Sequence, residues 1–175
     1  MERAERAPGA FARTTGLAVG AAPRMRSVLL APLMLRFSLA AVFFAHGAQK
    51  ILGSFGGAGL GGTIAGFAAM GLRPPALLAV GAAVLEFVGG LMLLLGLWTR
   101  FAAVLLALEM LLALLVVHAP NGFFLNWACS PGQGHGIEYN VVLIGSLGAL
   151  ALLGGGRGSI DGSRASRRAK SSLWH

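Results

Sequence analysis

The sequence is poor in charge and almost devoid of cysteine. Only 11% of its 175 residues are Asp, Glu, Lys or Arg, against about 25% in a typical soluble domain. So few charged side chains cannot cover the surface of an ordinary soluble enzyme. Cys129 stands alone, which excludes an internal disulfide, a CxxC redox pair and a cysteine-based zinc site. The first 24 residues lack the apolar core that a cleavable signal peptide requires. No HExxH or GxSxG motif is present, and Gly56-Gly57-Ala58-Gly59 has no strand before it, so neither a zincin, a serine hydrolase nor a phosphate loop is indicated. The 27 glycines have no three-residue period, which excludes collagen.

What is present is apolar. Hydrophobic residues make up 56% of the chain and mean hydropathy is +0.76, so the sequence predicts an all-α integral membrane protein. Apolar runs mark four spans, at residues 28–52, 75–98, 101–118 and 137–153. The last two lie near the minimum of about 17 residues for crossing a bilayer. The expected fold is a four-helix bundle over residues 27–161. Residues 1–26 and 162–175 form basic, disordered cytoplasmic tails, the first either a genuine tail or an over-long reading frame ahead of Met25-Arg26. Between spans one and two, the glycine-rich stretch 53–62 leads to Thr63, which is expected to cap a short helix over 64–70 on the outer surface.

The formal charge of +8 raises nucleic acid as a partner, but the distribution argues against it. Arg3, Arg6, Arg13, Arg24 and Arg26 precede the first apolar run; Arg157, Arg164, Arg167, Arg168 and Lys170 follow the last. Neither group carries the interleaved aromatics of a nucleic-acid surface. With Arg100 between spans two and three, these cations fall on one side of a four-span map, leaving Lys50 and Arg73 on the other. The positive-inside rule then puts both termini in the cytoplasm. Trp98 on one side, and Phe123, Phe124 and Trp127 on the other, suit interfacial aromatic belts.

Ionisable residues inside spans are costly and mark the candidate sites. Arg36, Glu86 and Glu109 are expected at similar depths as a buried polar layer, with an Arg36–Glu86 ion pair as the simplest arrangement and a protonatable or ligand-contacting site as its rival. His46, Lys50, His118, His135 and Glu138 form a second, outer polar layer. The plainest reading is that these side chains meet headgroup water. A quinone or other polar headgroup is the next candidate, and metal or haem the least favoured, although His135 and Glu138 have ligand-like spacing. Gly47, and the face formed by Ala82, Glu86, Gly89, Gly90 and Leu93, suit close helix packing.

A series of short motifs, in order, resembles the DoxX family. These are Arg36 with His46-Gly47-Ala48-Gln49-Lys50, then Gly71-Leu72-Arg73-Pro74, Glu86-Phe87-Val88-Gly89-Gly90 and Gly96-Leu97-Trp98-Thr99-Arg100. Asn121-Gly122-Phe123-Phe124, Gly136-Ile137-Glu138-Tyr139 and Gly156-Arg157-Gly158-Ser159-Ile160-Asp161 extend the likeness over about residues 29–161. Glu109 has no place in that pattern. The resemblance implies a four-helix protein of the bacterial inner membrane, with some relatives attached to quinone-linked redox complexes. The expected function is an accessory subunit of a membrane oxidoreductase system, with membrane or soluble redox proteins as partners, rather than a self-sufficient enzyme. A proton-coupled transporter using Glu86 and Glu109, and a scaffold that anchors a soluble partner through its basic tails, are the alternatives.

Overall fold

The computed structural model describes residues 21–171, with side-chain environments from residue 30 to residue 167. The described residues are helical or irregular, without a strand. Helix α1 runs Ala21–Leu52, α2 Gly59–Ala69, α3 Pro75–Leu95, α4 Thr99–Ala113, α5 Glu138–Leu153 and α6 Ile160–Ser171. A wide turn at Leu114–His118 and a tight one at Ala119–Asn121 prolong α4. Three helical stretches are long and apolar enough to cross a membrane: Leu30–Leu52, Pro75–Leu95 and Thr99–Asn121, of 23, 21 and 23 residues. At 1.5 Å per residue each reaches about 30 Å, the thickness of a hydrocarbon core. The third is therefore longer than the sequence reading allowed, because the chain stays helical on both sides of the expected 101–118. Helix α5 is also apolar but has only 16 residues.

The core lies where α1, α3, α4 and α5 meet. It holds Leu39, Ala40 and Phe43 of α1, Leu93 of α3, Leu106 and Met110 of α4, and Leu147 and Leu150 of α5. The outward faces are as apolar as the interior: Leu77, Val84, Leu112, Val116, Val142 and Leu152 are all exposed. In water such a surface would drive aggregation; against acyl chains it carries no penalty.

Helices α1 and α3 make the closest contact, and glycine permits it. A Cβ on Gly47 would lie 2.4 Å from the backbone nitrogen of Phe87, and one on Gly90 would lie 2.5 Å from that of Phe44. Phe44 and Phe87 stack across the same seam at 4.8 Å.

Three local expectations change. Helix α2 begins at Gly59, so Thr63 lies inside it and does not cap it; its hydroxyl donates to the carbonyls of Gly59 (2.8 Å) and Lys50 (3.2 Å). Packing against α1 and α3 offsets the low helix propensity of the glycines. Helix α3 stops at Leu95 because Gly96 takes the left-handed conformation at φ +65°, a common helix terminator. Beyond residue 161, where a disordered tail was expected, α6 continues to Ser171. Its start is fixed by Ser159, whose hydroxyl oxygen accepts from Gly162 N at 2.9 Å, a helix N-cap. At the other end α1 is already helical at Ala21; residues 1–20 of the expected N-terminal tail, and 172–175, lie outside the described residues.

Candidate functional site

Within the membrane-spanning part, Lys50 near the end of α1 pairs with Glu86 in the middle of α3. The Glu86 side chain is 6% exposed and that of Lys50 25%. Glu109 of α4 stands at the same level, set by the packing of α4 against α3. Its Oε2 is buried and has no hydrogen-bond partner among the described residues. Packing explains the shared level, since α4 meets α3 with Leu106 against Gly89, three residues short of Glu109 and three beyond Glu86. Nearby, the buried amide of Asn140 links α5 to α4 by donating to the Met110 carbonyl at 3.4 Å.

Arg36 does not join this cluster, and the expected Arg36–Glu86 pair does not form. Arg36 is 1% exposed, and its guanidinium lies at the end of the bundle where α3 and α5 stop. Its Nε donates to Leu93 O (2.9 Å), Nη2 to Leu94 O (2.8 Å) and Nη1 to Gly155 O (3.1 Å). Carbonyls in the last turn of a helix lack intrahelical partners, and the helix dipole favours a cation there. Leu93 lies seven residues past Glu86, about 10 Å along the axis. The depth estimate failed on the register of the two helices: with Gly47 against Phe87 and Gly90 against Phe44, the Lys50 end of α1 comes level with Glu86, and Arg36 comes level with the end of α3.

Around Arg36 the chain is tightly tied. A Cβ on Gly96 would lie 2.6 Å from the Arg36 Cζ. Asp161 accepts from Trp98 N (2.9 Å), Thr99 N (2.8 Å) and Thr99 Oγ1 (2.9 Å), while its own N donates to Gly96 O at 3.0 Å. Burial opposes ionisation of Asp161, but these hydrogen bonds, with the nearby Arg164, hold its carboxyl below the usual carboxylate range. Arg100 donates to Ala151 O at 3.1 Å. Sequence reasoning gave Thr99, Asn140, Ser159 and Asp161 no role. Ser159 followed by Gly162, with Asp161 in the first turn, is the signal that announces α6.

The outer layer divides. His46 is exposed, and Lys50 belongs to the Glu86 cluster. The other three members brace the loop between α4 and α5. His118 Nδ1 meets His135 O at 2.9 Å, His135 Nδ1 accepts from Asn126 N at 3.2 Å, and Glu138 Oε2 accepts from Leu125 N at 3.1 Å. Among the described residues no group of three His, Cys, Asp or Glu side chains is arranged to hold a metal ion.

Several long apolar helices with lipid-facing surfaces and buried charges define an integral membrane protein of all-helical fold. The DoxX family model matches residues 31–119, half of the chain, and the protein belongs to that family. It is also similar to a Bacillus subtilis (strain 168) protein named "Putative oxidoreductase CatD". That match is 34% identical over 101 residues, covering 58% of this chain and 69% of the relative. No solved structure matches.

Proposed function

We propose that this protein is a small accessory subunit of a membrane oxidoreductase system, and that Lys50, Glu86 and Glu109 form the site through which it contacts a quinone headgroup. The observation that carries the reading is the buried Glu109 oxygen, without a hydrogen-bond partner among the described residues, at the level of the Lys50–Glu86 pair. One ammonium and two carboxylates leave an excess negative charge in the membrane unless one proton is held among them. A protonated Glu109 and the Lys50 ammonium are hydrogen-bond donors of the kind a quinone carbonyl oxygen accepts. The name of the Bacillus subtilis relative and the family membership support the redox assignment. The same reading places α5 as a fourth span in the bacterial cytoplasmic membrane, with both termini inside. Supporting it, Arg36, Arg100 and the start of α6 gather at one end of the bundle.

The test is purification in mild detergent with identification of bound proteins and an absorption spectrum, followed by quinone-linked turnover in membranes carrying Glu109→Gln. The variant should accumulate normally yet lose about 100-fold in turnover, the scale of a lost proton donor or acceptor. Undiminished turnover would remove Glu109 from the mechanism. Loss of proton-driven solute uptake, with redox turnover intact, would point to the transporter alternative.

A further inference from the structure

We propose that the cleft between α6 and the end of α3 binds the phosphate headgroup of an anionic glycerophospholipid. The cleft, of about 440 Å³, is lined by Leu95, Ile160, Ser163, Arg164 and Arg167 together with the backbone of Gly158 and Ser159. Its two walls differ in chemistry. Leu95 is the last residue of a membrane-spanning helix and is 46% exposed, and Ile160 is also exposed, so this wall meets acyl chains. Arg164 and Arg167, three residues apart, share a face of α6. Both are exposed, and neither forms an ion pair among the described residues. The acid nearest to them, Asp161, spends its hydrogen-bond acceptors on Trp98 and Thr99 and acts on Arg164 through its charge alone, which leaves the guanidinium N–H groups of both arginines to offer to a headgroup at the membrane boundary. Exposed Trp98 at the same end suits the interface.

An apolar wall beside a basic one fits a lipid better than a free anion, because a phospholipid satisfies both. Each arginine near an anionic bilayer surface is worth about a fivefold preference, so two are worth about 30-fold. The proposal is independent of the quinone reading, since it concerns the opposite end of the Arg36–Lys50 segment.

The experiment uses the full chain in detergent, with thermal stability followed during titration with short-chain phosphatidylglycerol, phosphatidylcholine or inorganic phosphate. Phosphatidylglycerol should stabilise saturably, and the other two should not. Arg164→Gln with Arg167→Gln should raise the half-saturating concentration about 30-fold, and each single variant about fivefold if the double variant does not fold. Arg157→Gln removes an exposed cation that does not line the cleft, and it should change the value by less than about twofold. Equal stabilisation by inorganic phosphate would assign the cleft to a free anion and overturn the proposal. So would a phosphatidylglycerol response that survives loss of both arginines, or one that Arg157→Gln weakens equally.

Discussion

Lys50 and Glu86 form the salt bridge that joins the end of α1 to the middle of α3. The helices run antiparallel, so the two glycines that let them touch lie on the same side of the pair: Gly47 comes one turn before Lys50, and Gly90 one turn after Glu86. The ion pair and the close approach therefore depend on one another. Bringing the backbones together carries the Lys50 ammonium to the carboxylate, and the pair in turn removes two unpaired charges from the apolar seam.

Breaking one side of that pair should cost more than removing both. A buried ion pair that loses one partner costs about 3–5 kcal/mol, and the partial exposure of Lys50 sets this one at the lower end. Glu86→Gln and Lys50→Met should each lower stability in detergent, and the double variant should recover most of the loss. Arg36→Gln should be destabilising too, because the hydrogen bonds to Leu93, Leu94 and Gly155 are lost, but its effect should add to that of Glu86→Gln, as expected for separate sites. A double-mutant cycle reads both results, and coupling between Arg36 and Glu86 would contradict the arrangement described.

Gly47→Ala and Gly90→Ala should each destabilise by about 1–3 kcal/mol, the usual cost of forcing atoms into a packed interface. In both cases the obstruction is backbone, which cannot turn away. Gly145→Ala has open space around it and should be neutral or slightly stabilising, since alanine favours the helix by about 1 kcal/mol. Thermal midpoints of the three variants check the contrast.

Asp161 should make the end of the bundle sensitive to acid. Its carboxyl is held below the ordinary value of 3.8, so the folded state favours the ionised form more than the unfolded chain does. That contribution is fully present above the unfolded value and is lost as pH falls through the folded one. The stability difference between wild type and Asp161→Asn should therefore be constant near neutrality and close below about pH 4. A difference that grows on acidification would show that hydrogen bonding to the carboxylate is not its source.

Cys129 is an exposed thiol in the loop between α4 and α5, which makes it a natural probe of orientation. A membrane-impermeant maleimide should label it in intact cells. In a Cys129→Ser background, Lys170→Cys should react only after permeabilisation. Cys129→Ser itself should change stability by no more than about 0.5 kcal/mol, as usual for an exposed loop position. Labelling of both positions from outside would exclude a shared cytoplasmic location for the two tails.

Composition and periodicity by themselves determined that this is an all-helical membrane protein, because apolar runs of about 20 residues with few charges have no other stable state in which every backbone group is bonded. The motif series likewise sufficed for the family, and the residue types identified Arg36, Glu86 and Glu109 as the buried groups that need a partner, while Lys50 was expected to meet headgroup water. Which partner each one takes was decided only by tertiary structure. Pairing depends on the axial register of one helix against another, and register is set by where backbones can approach: at Gly47 and Gly90, one or two turns from where counting residues along an assumed span would place it. That shift sends Arg36 to the carbonyls of Leu93, Leu94 and Gly155, and Lys50 to Glu86. The extent of α6 was partly legible in the cap at Ser159, but its tether to Thr99 through Asp161 joins residues 62 positions apart, a distance over which local sequence patterns carry no information.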